Sequence, residues 1–224
     1  MSDLLPIFPL PNVVLFPNVF LPLHIFEPRY REMIGDALAS DRVIGMVLLR
    51  PGWEKEYAGR PPVYPIGCSG VITHVERLAD GRYNIVLRGL ERFRIVEEDD
   101  ARSYRRARVE ALSEQALGAA DRPVVRAQRA KLEALLAPAG ERSGALRQAH
   151  GVPGASTDSD ASSAAAMSDE DLVNALAQYL DLEPLEKQAL LERDSLRARA
   201  ESLVQLLEIK IMIARTPGLS HVPH

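Results

Sequence analysis

Apolar positions along this chain come first in short runs broken by proline, then in alternation, and finally at helical spacing. Residues 4–26 contain Pro6, Pro9, Pro11, Pro17 and Pro22, so no apolar run there grows long. They read as extended segments with turn signals at Pro11-Asn12 and Pro17-Asn18, and a short β-type run at Val13, Val14 and Leu15 between them. Proline removes a ladder donor, which places such strands at sheet edges or at bulges. Pro28 suits the first turn of a helix, and Tyr30, Met33, Ile34, Ala37 and Leu38 recur at helical spacing through Ala39. Residues 43–49 are a continuous apolar run of strand length. A loop bearing Pro and Gly follows over 50–65 and carries Trp53, Tyr57 and Tyr64.

A hairpin comes next. Residues 66–78 lead to Asp80-Gly81, a two-residue turn signal, and Arg82–Leu87 return. Further strands are predicted over 91–97 and 104–112, where polar and apolar residues alternate as on a sheet wetted on one face. After Ser113 the period changes. Asp121, with Pro123 in the first turn, opens a helix marked by Val124, Ala127, Lys131, Leu132, Leu135 and Leu136. Residues 138–167 have the Gly, Ala, Ser, Pro and Asp composition of a linker. Ser168 and Asp171 have capping-box spacing, with Asp in the place of the preferred Glu or Gln, and open a helix to about Leu180. Pro184 starts another, and Leu196 to Ile213 form a long amphipathic helix ending before Pro217-Gly218. Its Leu203, Leu206, Leu207, Ile211 and Ile213 read mostly as core, with an apolar excess at the C-terminal end suited to self-association.

Strands followed by helices predict an α+β fold. The expected divisions are a β-rich domain over 1–113, a helical connection over 114–137, the linker over 138–167 and a helical region over 168–215. A hydrophobic share of 46% provides for an ordinary globular core. The net charge of −4 is unevenly placed: residues 1–112 carry 15 basic and 15 acidic side chains, residues 113–224 carry 12 and 16. Neither half has the basic excess of a protein that binds through phosphates. Cys68 is the single cysteine, which excludes an intramolecular disulfide and a multi-cysteine zinc site. Prolines interrupt the apolar opening before it reaches the length of a signal peptide or membrane span, so a cytoplasmic protein without membrane contact is expected.

Three ordered blocks carry a resemblance. The stretch PIFPLPNVVLFPNVFLPLHIFEPRYREMI (6–34), with Phe16, Pro17, Pro22, Phe26, Glu27, Arg29 and Tyr30 as its structural signature, resembles the opening of the Lon protease N-terminal, substrate-binding domain family. IGCSGVITHVERLADGRYNIVLRGLERFRI (66–95) and YRRARVEAL (104–112) are similar to that family's hairpin and closing strands. LEPLEKQALLERDSLRARAESLVQLLE (182–208) resembles the helical region after them. One departure is Asn18 where the family has glycine; asparagine tolerates the left-handed conformation, so the turn is expected to persist. The resemblance implies a PUA-like β pseudo-barrel with one early helix and a C-terminal helical region. It further implies a non-catalytic module that binds unfolded or tagged polypeptides, an adaptor or chaperone-like factor whose partners include a protease or chaperone. No G-x-x-x-x-G-K-[ST] phosphate loop and no peptidase motif occurs in these residues, and no cofactor or metal is expected.

Each sharper reading has a plainer competitor. Trp53, Tyr57 and Tyr64 are the candidates for peptide binding, as aromatic anchors or as a cap over the end of the core. Arg105, Arg106 and Arg108, with Arg102, are the nucleic-acid candidates of an alternative RNA-binding reading; a salt-bridged sheet face is the favoured account. The run Glu97, Glu98, Asp99 and Asp100 is a solvated turn before it is a cation site. Cys68 and His74 would carry a hydrolase reading, against a buried small hydrophobe and a strand histidine; His24 reads as a sheet histidine.

Overall fold

A computed structural model describes residues 4–56, 59–114, 116–136 and 167–215 of the protein. The linker predicted over 138–167 therefore lies outside the described residues except for Met167, as do Tyr57, His150, His221 and His224. The described chain forms two compact units.

The first comprises residues 1–115 together with Asn174–Arg193. Its strands are β1 (Leu5–Leu10), β2 (Phe20–Ile25), β3 (Val43–Leu48), β4 (Ile66–Arg77), β5 (Tyr83–Asp99) and β6 (Arg105–Leu112). They lie in the order β2-β5-β4-β3-β1-β6, and β5 also pairs with β6. Five strands thus close into a ring to which β2 is appended, the expected pseudo-barrel within a mixed α+β fold. Closure rests on the length of β5. Tyr83–Arg88 pair with β2, and Arg92–Asp99 pair with β6. Sequence alternation predicts two strands here, over 82–87 and 91–97; the structure has one, because β4 stays paired with it across register shifts at Cys68/Gly70 and Ile72/His74.

Gly89 sits where β5 changes partner. Its N–H donates to the Val19 carbonyl at 2.9 Å, and its carbonyl accepts from Asn18 N–H at 2.9 Å. A Cβ at residue 89 would run into the Phe16 carbonyl oxygen, so only glycine admits this approach. Asn18 has φ 61, the left-handed turn expected of it. The run Val13–Leu15 is not a strand. Val14, Leu15, Phe16 and Val19 are instead buried, and the segment reaches the core as irregular backbone whose Phe16 N–H is satisfied by Gln178 Oε1 at 3.2 Å. The hairpin loop also differs. Leu78 N–H donates to the Arg82 carbonyl and Gly81 N–H to the Leu78 carbonyl, making a three-residue loop, Ala79–Gly81, that ends in a glycine at φ 81.

The prolines of the opening segment were expected at edges. Pro22 is on the edge strand β2, but β1 runs between β3 and β6. Alternation resolves the conflict. Leu10 C=O accepts from Leu49 N–H, so Leu10 and Phe8 address β3 while Pro9 turns toward β6, whose ladder stops at Ile7. Pro6 addresses the β3 side before that ladder begins at Ile7. Neither proline deprives a partner of a donor.

Helix α1 (Pro28–Leu38) has Pro28 in its first turn and buries Tyr30, Met33, Ile34 and Ala37, as predicted. Two later helices enter the first unit. Asn174 to Tyr179 belong to the end of α3 (Asp169–Tyr179), and α4 spans Pro184–Leu191; labelled in chain order, α2 (Asp121–Leu136) precedes them. They are held by buried polar side chains. Gln188 Nε2 donates to the Ile66 carbonyl at 2.9 Å, and Arg92, 4% exposed, donates to the carbonyls of Leu191 and Arg193.

The second unit comprises residues 116–173 and 194–224 and is described by α2, the start of α3 and α5 (Leu196–Arg215). Arg197 pairs with Asp121 at 3.0 Å and Lys131 with Glu208 at 2.7 Å, so α2 and α5 run parallel. The buried positions of α2 are Val125 and Leu132, with Ala127 and Lys131 exposed, a face rotated from the predicted one. The Ser168 cap is present: Asp171 N–H donates to Ser168 Oγ at 3.0 Å. On α5, Leu203 and Leu207 are buried, whereas Ile213 is 59% exposed beside exposed Ile209 and Met212.

Gly89→Ala is expected to cost about 1–3 kcal/mol, because backbone rather than a flexible side chain must yield. Asn18→Gly should stay within roughly 0.5 kcal/mol of the parent, since it keeps the left-handed turn. Urea midpoints of the two variants against the parent check both outcomes.

Candidate functional site

The edge strand β2 presents an open face that carries Phe20, Pro22 and His24. Its ladder bonds to β5 fall on odd residues, as the Gly89-to-Val19 bond and the Phe20↔Arg88 register require. Backbone groups of Phe20, Pro22 and His24 therefore point away from β5. Tyr179 confirms the direction: its hydroxyl donates to the Phe20 carbonyl at 2.9 Å. Pro22, at an outward position, removes an edge donor without weakening the ladder. Side chains alternate likewise. Ile25 is buried with Leu21 and Leu23 half-buried, while Phe20 (51%), Pro22 and His24 face outward, followed by Phe26 at 60% exposure.

A polar chain braces this face. His24 Nδ1 meets Asn84 Oδ1 at 2.7 Å, and Asn84 Nδ2 donates to Glu76 Oε2 at 2.8 Å. Arg82 reaches His24 Nε2 at 3.3 Å while holding Asp80 at 2.6 Å. Arg82 and its own backbone N–H, donating to Asp80, hold that carboxyl below the usual range. The Phe26 ring stacks on His24 at 6.2 Å. Beside these groups lies a shallow hollow of about 360 Å³ lined by Pro22, His24, His74, Asn84, Ile85 and Val86.

The residues singled out by sequence are dispersed. Trp53 is half-buried in a short 3-10 turn, Trp53–Glu56, and Tyr64 is half-buried under the Arg50 guanidinium at 5.4 Å from its ring. Tyr64 N–H donates to the Leu48 carbonyl, which ties its backbone to the core rather than presenting it. With Tyr57 outside the described residues, no aromatic cluster is built by this loop among them. Of the signature residues, Phe16, Pro17 and Tyr30 are buried, Glu27 pairs with Arg29 at 3.0 Å, and Pro22 and Phe26 face solvent. Phe20 was not picked out by sequence: in Phe20–Ile25 the outward set carries a single polar residue, His24, so alternation gives little sign of which face is wet.

The arginine strand meets the acidic run. Register pairs Glu97 with Arg108 and Asp99 with Arg106, and Glu98 turns to the other face with Arg105. Arg108 reaches Glu97 at 2.7 Å, Arg106 contacts Asp99, and Arg105, 8% exposed, holds Glu98 through two bonds at 2.8 and 2.6 Å. The Arg106 bond chiefly holds the Asp99 carboxyl below its usual range. This is the salt-bridged face favoured above, and its charge is spent internally rather than offered to phosphates. No group of three or more His, Cys, Asp or Glu placed to hold a metal occurs among the described residues. Cys68 is fully buried and His74 exposed, at positions on β4 about 20 Å apart, too far to act as nucleophile and base.

A larger cleft, about 620 Å³, lies between the end of α1 and the starts of β1 and β6, with Leu4, Pro6, Val43 and Val109 among its apolar walls. Tyr104 lines it and donates to Asp36 Oδ2 at 2.7 Å. Burial first, then the Asp36 bond, push the Tyr104 hydroxyl up to about 12.

Comparison with known proteins settles the family. The sequence model of the ATP-dependent protease La (LON) substrate-binding domain matches residues 4–208. The chain belongs to the Lon substrate-binding domain family. It is 32% identical to Lon protease 2 of Myxococcus xanthus over 217 residues, 93% of this chain and 24% of that protein. It is 33% identical to the Lon protease of Anaeromyxobacter dehalogenans over 113 residues, 50% of this chain and 13% of that protein. The chain thus spans a quarter or less of these curated relatives. The N-terminal domain of Mycobacterium avium complex Lon protease superposes with a TM-score of 0.67 at 17% identity, covering 92% of this chain and 98% of that one. The Lon N-terminal domain protein of Xanthomonas campestris gives 0.54 at 19%, covering 96% and 99%. The Lon-domain match lies within the substrate-binding part and does not extend to ATPase or peptidase domains. Among the described residues no helix is long and apolar enough to cross a membrane.

Because the folded Tyr104 hydroxyl titrates above its ordinary value of 10.0, its contribution to stability is complete below pH 10 and is lost as pH rises toward 12. Alkaline titration followed by phenolate absorbance should show a late-ionising tyrosine that Tyr104→Phe removes. The urea-midpoint difference between parent and variant should stay constant up to pH 10 and change only above it.

Proposed function

We propose that this chain is a non-catalytic module that binds unfolded or tagged polypeptide, acting as an adaptor or chaperone-like factor beside a protease or chaperone in the cytoplasm. The observation that carries the reading is the solvent-facing row Phe20, Pro22 and His24 on an edge strand of a Lon substrate-binding domain, with exposed Phe26 just past its end. Exposed aromatic rings on a rigid strand bury large apolar area at small entropic cost, which suits side chains exposed by unfolding. The family match supports the same role, since the domain family is named for substrate binding. The loop bearing Trp53, Tyr57 and Tyr64 is the second surface proposed for polypeptide contact. The alternative RNA-binding reading through Arg105, Arg106 and Arg108 has less support, because each guanidinium is paired with a carboxylate.

The test is equilibrium binding of a labelled model protein in its folded and its permanently unfolded form, with a labelled single-stranded RNA in parallel at two salt concentrations. Capture of the unfolded form alone is expected, at about −6 kcal/mol, or tens of micromolar, with little salt dependence. Phe26→Ser should weaken it about tenfold with an unchanged urea midpoint, and Trp53→Ala compares the loop surface. Salt-sensitive RNA binding without polypeptide capture would overturn the proposal.

A further inference from the structure

We infer that the outer edge of β2 takes up an extended polypeptide as a seventh strand; this rests on the polypeptide-binding reading and specifies its mode.

The edge is built for this and bounded in a definite way. Among the described strands β2 is paired with β5 alone, so its other side carries no partner strand. The odd residues spend their backbone groups on β5, which leaves the outward set: Phe20 N–H, the Pro22 carbonyl, and both groups of His24. The Phe20 carbonyl is already taken by Tyr179 at 2.9 Å. An incoming strand therefore bonds from Pro22 toward Phe26, and Tyr179 marks where it must stop. His24 is the central position because it alone offers an outward donor and an outward acceptor together, and its ring is held from both sides by Asn84 and Arg82. Side chains of an added strand repeat every second residue, which matches the row Phe20, Pro22, His24 on the same face. The hollow lined by Pro22, Ile85, Val86 and the two imidazoles lies over β5, on the far side of β2 from this edge.

A second copy of this chain fits the same edge poorly. Pairing β2 with β2 would bring two donor-less Pro22 residues and two Tyr179 hydroxyls into one short ladder, whereas a foreign strand meets each obstacle once. Proline on this edge thus discourages self-pairing and still leaves His24 to a partner that brings its own donors. The recognised chemistry is backbone in extended conformation, with no proline facing the edge. Such a partner is available from an unfolded chain and withheld by a folded one.

The test uses the whole chain and a labelled short peptide alternating valine and threonine, together with the same peptide N-methylated along one edge. Strand addition predicts binding of the first peptide and at least about a tenfold loss for the methylated one, which keeps its side chains but not its donors. Amide exchange on the parent protein should slow at His24, by about tenfold or more on saturation, while amides of the half-buried Leu21 and Leu23 keep their existing protection. His24→Pro, which removes the outward donor at a position where proline is compatible with an edge, should weaken peptide binding about fivefold. If that variant does not fold, the exchange and methylation measurements still decide. Equal affinity for both peptides, or an unchanged His24 amide in a saturated complex, would overturn strand addition while leaving polypeptide binding intact. Concentration-dependent protection of His24 without peptide would overturn it in favour of a second copy. Failure to bind any unfolded chain would remove both readings.

Discussion

The four residues Phe16 to Val19 lie directly against β5 because residue 89 has no side chain. That close approach fixes much else. It sets the point at which β5 leaves β2 and takes up β6, so closure of the sheet and attachment of the extra strand are decided at one place. The same turn buries Phe16, requires the left-handed backbone of Asn18, and presents Phe16 N–H to Gln178 from far along the chain. A side chain at residue 89 would separate backbone from backbone, and no rotamer change relieves a contact with a carbonyl oxygen.

The later segment that returns to the first unit is held by a second class of interaction. Gln178, Gln188 and Arg92 are all nearly inaccessible to water, and each has a backbone partner: Phe16 N–H, the Ile66 carbonyl, and the carbonyls of Leu191 and Arg193. Buried bonds of this kind add only about 1 kcal/mol net apiece, but mismatching them costs more, so they select one docking register among the many that apolar packing would accept. Glu114 near the Arg92 guanidinium adds a carboxylate to a charge that would otherwise be costly at that depth.

Local chemistry was legible in the sequence where a single residue decides it. Asn18 in a left-handed turn, Pro28 opening α1, the Ser168 cap and Pro22 on an edge strand each follow from one side chain and its backbone. What depends on register or on distant partners was not legible. Val13–Leu15 has strand composition, yet its backbone partners are set by a turn and by Gln178 rather than by a neighbouring strand. Pro6 and Pro9 argue for an edge until the ladders on either side are known to start and stop at Ile7. The acidic run and the arginine strand each suggested a ligand when read alone; only the register between β5 and β6 shows that Glu97 meets Arg108 and Asp99 meets Arg106.

The candidate site was hidden for a related reason. Alternation identifies a wet face only when that face is polar, and the exposed row of β2 is Phe, Pro and His. A fold that needed this strand merely to complete its core would gain from a polar residue at 20, because Ile25 and the half-buried Leu21 and Leu23 already supply the inward face. Exposed Phe20 and Phe26 add nothing to the ladder and increase the risk of association at an unpaired edge. Pro22 and the Tyr179 hydroxyl reduce that risk without closing the edge, since together they remove one donor and one acceptor and leave His24 with both. The edge is thus partly blocked against its own kind and still open at His24 to other backbone, the feature on which the proposed strand addition rests.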